Sequence, residues 1–146
     1  MGRRPRRHAT LTDVVTCLVD SSAWIEFLRG TDHPVVDELS RRLEVLGGVS
    51  ISGVVEMEIL AGARTQHEVE DLKRLLARAA MAPTDGGDFA LAASLYRSCR
   101  ADGVTIRRLS DCLIAATAIR LGLPVLHADR DFDALASSTA LMVVSI

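Results

Sequence analysis

The chain has 146 residues, 49% of them hydrophobic and 25% charged, which suits one domain with its own core and excludes a largely disordered chain. The formal net charge of -2 hides an uneven distribution. Arg3, Arg4, Arg6 and Arg7 share the first 13 residues with one acid, Asp13, so residues 14–146 carry 13 basic and 18 acidic residues; such an acidic body, with only 3% aromatics, does not read as a coat for nucleic acid.

In chain order, residues 1–13 read as a disordered basic extension or a matter of start-site choice, and residues 14–146 as the domain. The basic start and the run Val14–Val19 imitate a signal peptide, but the run is short and Asp20 ends it. No apolar run approaches the roughly 18 residues that cross a bilayer, so no membrane role is expected. Residues 15–19 predict a buried strand. Ser21 or Ser22 caps a helix through Trp24, Ile25, Phe27 and Leu28, stopped by Gly30. Pro34 opens a second helix, with Val35, Val36, Leu39, Leu43 and Leu46 at near-helical spacing before Gly47-Gly48. Val49–Ser52 predicts a second strand, 53–63 a helix led by Ser52, and 67–80 a polar-faced helix. Met81–Thr84 predicts a short strand, Asp85-Gly86-Gly87 a turn, and 89–100 a helix. Asp102-Gly103 is a turn, Ser110–Leu121 a helix stopped by Gly122, and Pro124–His127 a strand. Asp131–Ala136 is a short helix and Leu141–Ile146 a last strand. Strands alternating with helices predict an α/β domain, a three-layer α/β/α sandwich around a mainly parallel sheet of about five strands.

Several acids sit where a surface role explains them poorly. Asp20 ends the first strand, and Asp129 and Asp131 follow the strand ending at His127; ligands of open α/β sheets gather beyond such carboxyl ends. Asp111 begins a helix that is otherwise apolar. Glu58 lies mid-helix with Val54, Val55, Ala61 and Gly62 one turn away, so burial is expected to cost unless it finds a partner. Glu56 competes with Glu58, about 200° around the same helix. Each acid alone also has an ordinary explanation: Asp20 and Asp129 as helix caps, Asp111 and Asp131 as first-turn acids. Together they gather like charges, and a bound cation is the simplest relief. Cys17, Cys99 and Cys112 form no CxxC pair, and His8, His33, His67 and His127 show no HxxxH spacing, so a reduced, intracellular protein with all-oxygen ligation is expected. Such ligation favours Mg²⁺ or Mn²⁺, which can activate water for phosphodiester hydrolysis.

At this point the residues resemble a known family. Leu18-Val19-Asp20-Ser21-Ser22-Ala23 resembles the opening strand and first acid of PIN-domain nucleases, and Glu58-Ile59-Leu60-Ala61-Gly62 their second motif, a register that selects Glu58 over Glu56. Ser110-Asp111-Cys112-Leu113-Ile114-Ala115-Ala116 resembles the third motif, and Leu126-His127-Ala128-Asp129-Arg130-Asp131-Phe132 the fourth. Four motifs in order over residues 15–146, without appended domains, are similar to VapC-type toxins of toxin–antitoxin modules. The resemblance implies a Mg²⁺- or Mn²⁺-dependent endoribonuclease, cytoplasmic and dimeric, that cuts structured RNA such as tRNA or ribosomal RNA. It also implies a VapB-type antitoxin whose C-terminal segment enters the acidic pocket. Carried over, Asp20 and Asp111 are the core metal ligands, Glu58 completes the set directly or through water, and Asp129 supports the metal or a second site. Asp131 is a further candidate, since families differ in which acid of this loop they use. Ser22 can hydrogen-bond the pocket or serve as an ordinary cap. The arginine-rich start and His127, where a small polar residue is common, depart from the family pattern.

Arg107, Arg108 and Arg130 flank two acidic motifs and can hold phosphates, or simply be solvated. A catalytically silent PIN-fold module that docks a partner is the alternative, and the intact acid set argues against it. A phosphorelay receiver needs a late lysine, whereas the only lysine is Lys73 in a mid-chain helix; a haloacid-dehalogenase-type phosphatase needs an acid where Ser22 stands.

Overall fold

Three apolar runs far apart in sequence are buried side by side and build the sheet. The computed structural model describes residues 16–146; the extension read over residues 1–13 lies outside the described residues. The strands are β1 (Cys17–Val19), β2 (Val49–Ile51), β3 (Ala80–Met81) and β4 (Val125–Leu126), in spatial order β3-β2-β1-β4. Every pairing is parallel: Leu18 sits opposite Ser50 on β2 and Val125 on β4, and Ile51 opposite Met81. The residues of β1, β2 and β4 are all buried, as a parallel sheet covered on both faces requires. The chain steps from β1 to β2 and β3 on one side, then places β4 on the other. The crevice beyond the carboxyl ends of β1 and β4 is therefore a topological switch point, where open α/β sheets hold ligands. The Asp20 N–H donates to Leu126 O at 2.9 Å and fastens those two ends together.

Among the described residues, seven helices cover the sheet: α1 (Ser21–Arg29), α2 (Pro34–Leu43), α3 (Gly53–Ala61), α4 (Gln66–Leu76), α5 (Gly86–Ala101), α6 (Leu109–Leu121) and α7 (Arg130–Ser138). Helix α1 packs on α2 and α3, and α5 packs along α6 with α7 against both. The buried Ala115, Ala116 and Ala118 of α6 leave room for close approach, while Trp24 and Phe132 are the largest fully buried side chains. Gly122 ends α6 in the left-handed conformation (φ 67°), as its place after the apolar run predicted. No helix among the described residues is long and apolar enough to cross a membrane.

The three-layer α/β/α architecture is as expected, with differences at particular elements. The last strand predicted over Leu141–Ile146 is reduced to one parallel bridge, Val143 to Val125, so the sheet has four strands among the described residues. Its partner β4 is only two residues long, and the Pro124 and Leu126 carbonyls already accept from Leu18 and Asp20 on the β1 side. Only Val125 remains to pair outward: its N–H donates to Met142 O at 3.0 Å and its carbonyl accepts from Val144 N–H at 2.9 Å. Helix α2 stops at Leu43 and leaves Leu46 wholly exposed, because the backbone folds back at Gly48, where a Cβ would lie 2.5 Å from Arg42 O. The predicted turn Asp85-Gly86-Gly87 is the start of α5: Asp85 and Asp88 form a reciprocal capping box. Helix α4 ends at Leu76 rather than residue 80, which frees Ala80-Met81 for β3.

Candidate active site

Asp20 stands at the carboxyl end of β1 as the N-cap of α1. Its Oδ2 accepts from the Ser22 N–H at 3.0 Å and from the Ser22 hydroxyl at 2.6 Å. Both the cap and the site readings of Asp20 are thus compatible, because one oxygen does the capping. The other, Oδ1, is buried with no hydrogen-bond partner. The Ser22 hydroxyl also accepts from the Ala128 N–H at 2.9 Å, so it ties the start of α1 to the loop after β4. With its proton and a lone pair both engaged, Ser22 orients Asp20.

Asp111 enters from the first turn of α6 and is 1% exposed, with its Oδ2 also lacking a hydrogen bond. The nearest cation to that oxygen is Arg108 Nε at 3.8 Å. Asp129 follows β4 and caps α7: its Oδ1 accepts from Asp131 N–H at 3.0 Å and Arg107 Nη2 at 2.6 Å. The buried Asp131 turns back to Arg107, whose backbone N–H and Nε donate to Asp131 Oδ2 at 3.1 and 3.0 Å. One oxygen from each of Asp111, Asp129 and Asp131 lies within 4.8 Å of the others, a spacing one cation can bridge.

Glu58 differs from expectation in its environment. It is half-buried at the rim of the crevice, and its partner is Ser21, whose hydroxyl donates to Glu58 Oε2 at 2.7 Å. Its neighbours one turn away do not form a closed apolar face, because α3 borders open grooves to either side of it.

Burial pushes the Asp111 carboxyl up to about 7; the Asp20 charge adds to this, Arg108 opposes it, and Asp129 and Glu58 add further. Burial also raises Asp20, against the hydrogen bonds from Ser22 and with the help of the Glu58 charge. The Asp111 carboxyl thus feels the charges of Asp20, Asp129 and Glu58, and Asp20 that of Glu58. For Asp131 burial acts upward too, but the Arg107 backbone and side chain outweigh it and hold this acid below its usual range.

The three arginines divide. Arg107 spans Asp129 and Asp131, Arg108 lies 3.6 Å from Asp129 Oδ2, and Arg130 is exposed at the start of α7. His127 braces its loop: Nδ1 accepts from Asp129 N–H at 3.1 Å, Nε2 lies 3.3 Å from Asp133, and the ring packs on Phe132 at 5.3 Å.

Sequence reading missed two residues of consequence. Ser21 holds Glu58, and the signal was its place beside Asp20. Asp88 is as buried as Asp111, but it belongs to α5, away from the crevice. Arg120 and the Thr117 hydroxyl bond it, and the Arg120 guanidinium, against burial, keeps its carboxyl down at about 2. Locally Asp88 looks like no more than the capping partner of Asp85, because the Thr117 and Arg120 side chains that bond it are about 30 residues away.

The parallel sheet and the acids at its carboxyl edge define an α/β protein with an acidic pocket at the switch point. The family model described as the PIN domain matches residues 17–137, and the chain belongs to that family. It is 39% identical to "VapC ribonuclease Mb1587" of Mycobacterium bovis over 130 residues, 88% of this chain and 97% of the relative. It is equally similar, over the same shares, to "Ribonuclease VapC11" of Mycobacterium tuberculosis. Among solved structures, VapBC2 from Rickettsia felis, determined with a fragment of its promoter DNA, superposes with a TM-score of 0.68 at 14% identity, covering 89% of this chain and 98% of that one. That likeness shows the shared fold.

Proposed function

We propose that the chain is the ribonuclease toxin of a type II toxin–antitoxin pair, hydrolysing RNA phosphodiester bonds with Mg²⁺ or Mn²⁺. The observation that carries this reading is the pair of buried carboxylate oxygens, Asp20 Oδ1 and Asp111 Oδ2, left without hydrogen bonds in one crevice. Buried carboxylate oxygens are costly unless paired, and an all-oxygen donor set suits a hard divalent cation. Asp20 and Asp111 would hold the ion, with Asp129 and Asp131 beside them and Glu58 completing the set directly or through water. Bound there, Mg²⁺ or Mn²⁺ supplies charge neutralisation at the phosphate and a lowered pKa for the attacking water.

The rest of the work belongs to the chain. Ser22 holds the Asp20 carboxylate by two hydrogen bonds, and Ser21 orients Glu58 toward the crevice. Arg108 and Arg130 stand on the acidic rim, where they can take RNA phosphates; backbone contacts of this kind let an acidic protein bind RNA. Structured RNA such as tRNA or ribosomal RNA is the substrate class that the family relationship supports.

The same relationship supports a VapB-type antitoxin, homodimerisation and a cytoplasmic location. A groove of about 450 Å³ between α1, α3 and α4, lined by Ile25, Leu28, Ile59 and Leu72, runs up to Glu58. It offers an apolar bed for an antitoxin segment that ends over the acids. The decisive experiment assays RNA cleavage with Mg²⁺ or Mn²⁺ in the wild type and in Asp20→Ala and Asp111→Ala. Cleavage that depends on the cation and is lost in both variants supports the assignment. Undiminished cleavage in both would overturn it, and absent cation binding would favour the silent partner-binding module.

A further inference from the structure

The three acids whose oxygens converge within 4.8 Å are all faced by arginines from one dipeptide. Arg107 donates to Asp129 Oδ1 at 2.6 Å and to Asp131 Oδ2 at 3.0 Å. Arg108 lies 3.6 Å from Asp129 Oδ2 and 3.8 Å from Asp111 Oδ2. Asp20 Oδ1 and Asp111 Oδ2 keep no hydrogen bond, and of the two only Asp111 Oδ2 has an arginine within 4 Å among the described residues, Arg108 at 3.8 Å.

We propose that Arg107 is a resident competitor of the divalent cation: its guanidinium occupies Asp129 and Asp131, is displaced when a cation takes their oxygens, and then faces the RNA backbone. This inference rests on the reading of the acids as cation ligands. Three features make Arg107 displaceable. Its side chain is 58% exposed, so it reaches the acids from solvent and can swing back without opening the core. The loop does not depend on the guanidinium, because the Arg107 backbone N–H bonds Asp131 Oδ2 independently at 3.1 Å. Asp129 likewise stays placed, since Asp131 N–H caps its Oδ1. The Arg120–Asp88 pair is the contrast: there the acid is sealed in and also bonded by Thr117.

Electrostatics fixes the direction. A guanidinium beside a dication is repelled, and the same guanidinium beside a phosphate forms a charge-assisted bond. Arg107 therefore gains a better partner once the cation and the RNA are both present. A positioning role would act oppositely, since losing it would loosen the acids and weaken the cation.

The sign of one measurement separates the two. Mn²⁺ is titrated into the purified chain and free Mn²⁺ read by its EPR signal, for wild type, Arg107→Gln, Arg107→Lys and Asp111→Asn. The expected result is about three- to tenfold tighter Mn²⁺ binding by Arg107→Gln, the range of an exposed charge-assisted pair. Arg107→Lys should return affinity toward wild type, and Asp111→Asn should bind weakest. A melting curve controls for folding. If wild type binds Mn²⁺ and Asp111→Asn does not, but Arg107→Gln binds no tighter, the competitor role is overturned while the functional reading stands. If wild type binds no Mn²⁺, the functional reading falls and this inference with it.

Discussion

Replacing Asp111 with Asn should raise the stability of the chain at alkaline pH while removing its activity. Asp111 is 1% exposed, and its carboxyl is pushed from the ordinary 3.8 up to about 7, chiefly by burial and then by the Asp20 charge. An acid with a raised folded pKa binds protons more tightly in the folded state, so folding loses stability as pH rises between those two values. The cost is absent below about pH 4 and complete above about pH 7. At about 1.36 kcal/mol per pH unit it is about 4 kcal/mol. An Asn has no charge to bury, but its amide faces the same unpartnered space, which returns about 2 kcal/mol of that gain. The net is about 2 kcal/mol, or about 4–8 °C in Tm for a domain of this size. Thermal unfolding in excess EDTA at pH 8 and pH 5 reads this directly. Asp111→Asn should melt above wild type at pH 8, and the gap should close or reverse at pH 5. Adding Mg²⁺ should lift wild type more than the variant, since only wild type gains binding energy. A gap that is the same at both pH values would refute the claim that the crevice stores electrostatic strain.

Ser22→Ala should lower the rate of RNA cleavage about tenfold with little change in KM, because it removes a hydrogen bond worth about 1.4 kcal/mol to the Asp20 carboxylate rather than to the RNA; steady-state kinetics on a short RNA checks this. Asp88→Asn should cost about 2 kcal/mol of stability at pH 7, the equivalent of a carboxyl held near 2 in the folded chain and 3.8 unfolded. That contribution is present above about pH 4 and lost as pH falls through 2, so the wild-type advantage should vanish in acid melts while cleavage at neutral pH is unaffected. Leu28→Glu, on the exposed wall of the α1–α3–α4 groove, should weaken antitoxin binding at least about tenfold, the value of about 1.4 kcal/mol of lost apolar burial, and leave cleavage by the free toxin intact. Calorimetry with the antitoxin peptide, beside the cleavage assay, tests both halves.

The fold class and the positions of the candidate acids in it were legible in the sequence because their signals are local. Asp20 directly follows the buried Leu18-Val19, Asp129 lies three residues past the buried Val125-Leu126, and each caps the next helix, which places them near strand ends by chain order alone. Asp111 opens an otherwise apolar helix that Gly122 stops, and the resemblance to the family's second motif, through Leu60 and Gly62, selects Glu58 over Glu56. Tertiary structure decided what depends on contacts across tens of residues. The last strand shrank to one bridge because β4 offers only Val125 outward, a limit invisible in Leu141–Ile146 itself. Glu58 lies half-exposed because α3 borders open grooves. Asp88 is buried as deeply as Asp111, yet Arg120 reaches it across 32 residues and makes it a structural pair. Most of all, the sequence set acids and arginines near one another, but only packing selected which oxygens are paired. Arg107 took Asp129 and Asp131, and Ser22 took one oxygen of Asp20. The carboxylate oxygens left without a hydrogen bond, on Asp20 and Asp111, are the ones on which the proposed cation site rests, since a buried carboxylate oxygen without a hydrogen bond calls for an explanation such as an ion.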